Sequence, residues 1–226
     1  MPMKRLLILA SFLLLSSPLV VSSRCYSGPD KDRMPADVRP QENVESAALQ
    51  EEAVRDASSR ALLVNPEKYT AGGAGYHRKH ERCLLTIGFV LAGRKKLTVA
   101  EQSIGIYHDR KDGKRERYYL GLDVSAPRGS YDPGDPFEKS AQRILESQLG
   151  DIVTVAWSGS ALFAEERVTG MVVGFRWSGP GGGESLSIWM DKRDLGKYAR
   201  RELLLKELIG KSEITNAKGK LVRLIP

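Results

Sequence analysis

The sequence is poor in cysteine and lacks an apolar run long enough to span a bilayer. Its two cysteines, Cys25 and Cys83, exclude a disulfide-dense secreted scaffold and any four-cysteine zinc or iron–sulfur site. One bridge, Cys25 to Cys83, is the most that an oxidising compartment could form. The N-terminal apolar stretch, residues 6–21, is interrupted by Ser16, Ser17 and Pro18 and falls short of the roughly 20 apolar residues of a membrane-spanning helix. Recognisable nucleic-acid motifs are also missing. The segment around Ser158 and Ser160 lacks the Gly-x-Ser-x-Gly pattern of a nucleophile elbow. The glycines at 179, 181, 182 and 183 have no following Lys-Ser/Thr pair at a helix start, which a phosphate loop needs.

What is present is an ordinary folding composition, with 41% hydrophobic and 28% charged residues in 226, outside the disordered and fibrous classes. Lys4 and Arg5 precede the uncharged run 6–15, and Val21-Ser22-Ser23 offers small residues for cleavage, so residues 1–23 are expected to be a signal peptide. An uncleaved membrane anchor is the alternative. Lipidation of Cys25 is a further alternative, against which stands Arg24 immediately before the cysteine. Residues 24–43, with Pro29, Pro35 and Pro40 among many charges, read as a disordered tether. The folded domain is then 44–226.

The hydrophobic pattern predicts an α+β fold of roughly seven strands in antiparallel meanders with helices packed on the sheet, in the order α-βββ-α-βββ-α-β. A helix is expected over 44–64, and a glycine-rich loop over 69–76. Strands are expected over 83–92, 97–108 and 117–125. Asp135-Pro136-Phe137-Glu138 then starts a helix that ends before Gly150. A second strand set, 152–157, 168–177 and 184–190, precedes a helix over 195–209 and a final strand over 221–225. The repeated order raises the possibility of two halves, 77–150 and 151–226.

Charge is concentrated. Residues 78–117 hold eleven Lys or Arg and five acids, while the whole chain carries +7. In a meander, Arg78, Lys79, Arg82, Arg110, Lys111, Lys114, Arg115 and Arg117 should gather at one end of the sheet. Such a cluster suits an envelope protein, an anionic polymer or a lipid headgroup better than nucleic acid; its other use is solvation of charged turns. His77, His80 and His108 fall at the same end beside Cys83, which offers a three-nitrogen, one-thiolate metal set, although the neighbouring cations oppose it. No cofactor is implied. Glu165 and Glu166 are carboxylates without an assignable role. Trp189 is expected on the polar face of its strand near Gly174 and Arg176, covering a strand glycine or stacking on a sugar or partner. These features point to an exported, non-enzymatic bacterial envelope or periplasmic protein. The alternative is a secreted hydrolase using a metal or thiol near His77, His80, Cys83 and His108.

Overall fold

Met171, Val173, Phe175 and Trp177 alternate with Val172, Gly174 and Arg176, the pattern of a strand with one face given to the core. In the computed structural model, which describes residues 46–68, 71–108, 117–179 and 182–224, that strand, β4 (Val168–Gly179), lies in the middle of a mixed six-stranded sheet. Its antiparallel partner is β5 (Gly182–Asp191), which pairs in turn with β6 (Glu213–Asn216). On its other side runs β3 (Tyr118–Ser125), whose far edge takes both β1 (Thr98–Val99) and β2 (Gly105–His108). The fold is α+β, with eight α-helices and six strands among the described residues. The predicted leader 1–23, the tether 24–43 with Cys25, and Arg110, Lys111, Lys114 and Arg115 lie outside the described residues.

β3 and β4 are parallel, with Tyr118 opposite Val168 and Ser125 opposite Arg176. Parallel neighbours need a crossover. Here it is made by α5 (Phe137–Ser158) and α6 (Ser160–Ala164). Two antiparallel meanders were expected because 152–157 reads as a strand and Gly150 as a helix stop. Instead α5 runs through both, crossing the boundary drawn between the two halves, and it buries Leu145, Gln148, Leu149, Ile152, Val153, Val155 and Ala156 at helical spacing. Gly150 serves close approach instead of termination, since a Cβ there would stand 2.9 Å from the Tyr198 hydroxyl oxygen.

The expected strand 83–92 is a helix, α4 (Glu81–Phe89), extended by one π-helical turn, Val90–Arg94. Residues Cys83 through Gly88 are all buried, so the helix is enclosed on every side, and its continuous apolar run cannot be told from a central strand by period alone. Gly88 admits the side chains of Ile104 and Leu62, which would lie 3.0 and 3.2 Å from a Cβ. The glycine-rich segment predicted as a loop forms α3 (Ala71–Lys79). The helix predicted over 44–64 is broken at Asp56 into α1 (Ala47–Arg55) and α2 (Ala57–Leu62), where the Asp56 carboxylate caps α2 by accepting from the Ser58 and Ser59 amides. At the C-terminal end, α7 (Lys192–Ala199) and α8 (Leu205–Lys211) replace one helix, separated at Arg201, whose φ is 61°. Leu221 makes only a single bridge to Thr215, in place of a last strand. The described residues belong to one compact unit.

Candidate functional site

Of the residues singled out by charge and by histidine content, His77, Arg78, Lys79, His80, His108 and Arg117 lie at the end of the sheet where β3 and β4 begin. Tyr118, 1% exposed, opens β3 and anchors that end. Its ring lies 5.0 Å from Tyr76 of α3 and 5.5 Å from His108, the last residue of β2. The last turn of α3, carrying His77, Arg78 and Lys79, is thereby held beside the end of β2 and the start of β3, where Arg117 stands. Arg78 is exposed there.

Not all of the predicted basic set is available to a ligand. Lys79 donates to Oε1 of Glu165, and His80, nearly buried, lies with Nε2 3.0 Å from the same oxygen. Lys192, the first residue of α7, donates to the Glu165 carbonyl at 2.9 Å. The Lys79 ammonium, opposed by partial burial and assisted by His80, holds the Glu165 carboxyl below the usual carboxylate range. Glu165 is therefore a structural acceptor that ties three helices to the lead-in of β4, not half of a paired acid and base. Arg82 sits apart, in a shallow hollow of about 160 Å³ lined by Ala47, Gln50, Glu51, Val54 and Arg55. Arg94 and Lys95 approach Glu52 and Asp151.

The histidines and Cys83 do not converge as ligands. His77 is buried, which pushes its imidazole toward the neutral form against the pull of Glu81. His80 is taken up by Glu165, His108 packs on Tyr118, and Cys83 is enclosed within α4. Among the described residues no group of three or more His, Cys, Asp or Glu is arranged to hold a metal ion. Ser158 donates to the Val155 carbonyl of its own helix at 2.7 Å. Gly179 and Gly182 are the last register partners of the β4–β5 hairpin.

No family model, curated protein or solved structure matches this chain.

Two further places on the sheet carry aromatic and polar groups together. On the face turned away from the core, Trp189 is opposite Val172, not beside Gly174 and Arg176, and its ring meets Tyr119 edge-on at 5.3 Å. The covering of strand glycines, expected of Trp189, is done by Tyr107 over Gly121 and Tyr119 over Gly170. Asp123 and Arg176 neutralise each other on the same face. The second place is the core-side corner where β4 ends. There Trp177 is the register partner of Glu184, and the Phe137 ring lies 5.2 Å away. Asp135 accepts from Lys139 and from Arg143, each at 2.7 Å, and fixes the start of α5 that carries Phe137. Spacing placed Trp177 on the core face of its strand, but nothing in the sequence showed that its polar edge would meet no hydrogen-bonding group among the described residues.

Proposed function

We propose that this is an exported, non-enzymatic binding protein of the bacterial envelope, which engages an anionic polymer or lipid headgroup through the basic end of its sheet. The observation that carries this reading is the ring cluster of Tyr76, Tyr118 and His108. It gathers the exposed Arg78 of α3 to the end of β2, two residues ahead of the basic run 110–117. The chemistry is reversible charge pairing, with no bond made or broken. Lys79, committed to Glu165, contributes field more than contact.

The test is co-sedimentation of the full chain with vesicles of phosphatidylglycerol and phosphatidylcholine and, separately, retention on immobilised polyphosphate. Binding is expected to fall as salt rises from about 0.1 to about 1 M, which shortens the screening length from about 10 to about 3 Å. Replacing Arg78, Arg110 and Lys111 together by Ser should weaken binding severalfold with an unchanged circular dichroism spectrum. Binding that ignores salt, or survives the triple substitution, overturns the proposal.

A further inference from the structure

At the end of the sheet where β4 stops, two buried polar atoms meet no hydrogen-bonding group among the described residues. They are Nε1 of Trp177, a residue 5% exposed, and Oε2 of Glu184. The two residues are register partners across the hairpin, one pair beyond Phe175 and Leu186 on the core side. The Glu184 carboxylate folds over Gly179, where a Cβ would stand 2.2 to 2.5 Å from its atoms, so any side chain there would displace the carboxylate. Around the pair stand the half-buried rings of Phe137 and Tyr131, and the Tyr131 hydroxyl oxygen accepts from the Ser178 amide at 3.3 Å.

Buried polar atoms in folded proteins are nearly always satisfied, and an unsatisfied pair of opposite kind specifies what would satisfy it. An indole N–H only donates, and an ionised carboxylate only accepts. A hydroxyl does both from one atom. An ammonium ion has no lone pair for the indole, and a phosphate or carboxylate is repelled by Glu184. Aromatic rings beside the pair suit a ligand that is apolar on one face and hydroxylated at its edge. We propose that this corner is a saccharide-binding site, in which the Glu184 side chain swings off Gly179 to admit one ring hydroxyl that accepts from Trp177 Nε1 and donates to Glu184 Oε2 while the C–H face of the sugar lies against Phe137 and Tyr131. The site is at the opposite end of β4 from the basic cluster and does not rest on the anion-binding reading.

The experiment follows the indole N–H signals of Trp157, Trp177 and Trp189 in the ¹⁵N–¹H spectrum of the full chain, assigned with single Trp→Phe variants. Glucose, tri-N-acetylchitotriose and dextran are titrated separately, so that a free sugar, an amino-sugar oligomer and a neutral polymer are distinguished. The Trp177 signal is expected to move saturably with at least one of them, independently of salt, while the Trp157 signal stays. Glu184→Gln should weaken that binding on the order of tenfold, the scale of a hydrogen bond to a charged acceptor. Glu184→Asp, which keeps the charge but withdraws it by one methylene, gives the same reading if the Gln variant does not fold. A Trp177 signal that none of the three saccharides moves, and that exchanges magnetisation with water alone, overturns the proposal. So does binding that is unchanged in both Glu184 variants.

Discussion

The glutamates at the two ends of β4 are handled in opposite ways. Where the strand begins, the Glu165 carboxylate is met by Lys79 and His80, its carbonyl by Lys192, and the Tyr118 amide by the Arg167 carbonyl at 2.9 Å. Contacts spanning 85 and 86 residues of sequence close that corner, and each partner's desolvation is offset by a bond. Where the strand ends, the outer rim is equally well paired through Asp135, Lys139 and Arg143, but Trp177 Nε1 and Glu184 Oε2 inside it meet no partner among the described residues. The bonded Glu165 makes the first corner a clamp, which fixes the elements that meet there. A corner with a donor and an acceptor both unmet has binding free energy still to be realised.

Breaking the clamp at its ring cluster should have the largest effect. Tyr118→Ala removes a side chain 1% exposed and is expected to lower stability by about 3–5 kcal/mol, read as a fall in the urea midpoint. It should also loosen α3 and weaken the anion binding tested above.

Glu165→Gln is the next largest. It leaves Lys79 and the buried His80 with a weaker acceptor, and a loss of about 1–3 kcal/mol is expected at neutral pH. The pH dependence has a definite sign. Hydrogen bonding from Lys79 holds the Glu165 carboxyl below its ordinary range, burial opposes this, and His80 adds to the lowering. The unfolded chain therefore takes up this proton first as pH falls. The stabilisation is complete above the ordinary carboxylate range and is lost as pH drops through the lower folded value. The gap between native and Glu165→Gln urea midpoints should therefore narrow in that acidic window. A gap that stays constant would mean that Glu165 acts through packing, not charge.

The contrast between the ends also shows how much could be read from the sequence. β3, β4 and β5 were readable because one face of the sheet is core and the other half-buried, which writes period two into Met171 to Trp177 and Leu186 to Met190. α4 was not, because a helix buried all round carries no amphipathic period. The parallel pairing of β3 with β4 was hidden by a single residue: Gly150 reads as a helix end, and its actual use, making room for Tyr198, depends on a residue 48 positions later. The basic cluster was expected through a meander that is not there. Of that set, α3 brings Arg78 and Lys79 beside the end of β2, while Arg82 lies apart and Arg110, Lys111, Lys114 and Arg115 are outside the described residues. The acceptor that claims Lys79 lies 86 residues on, outside the range of any local pattern. Trp177 was readable as a core residue from its spacing. Its unmet N–H was not, since satisfaction of a polar edge is decided by neighbours from three segments.

The smallest effects are expected at the Trp177 corner. Glu184→Leu removes a buried carboxylate oxygen that has no partner among the described residues and places an apolar side chain on the core face, so stability should be unchanged or higher. A double-mutant cycle of Trp177→Phe with Glu184→Leu, followed by urea unfolding without saccharide, should show coupling within about 0.5 kcal/mol, because the two groups make no bond to each other. The corresponding cycle of His80→Ala with Glu165→Gln should show coupling of about 0.5–3 kcal/mol. Equal coupling in the two cycles would make the Trp177 corner a second clamp and remove the physical reason for a ligand there. Unequal coupling, with the Trp177–Glu184 cycle gaining coupling only when saccharide is present, would assign the unmet pair to binding.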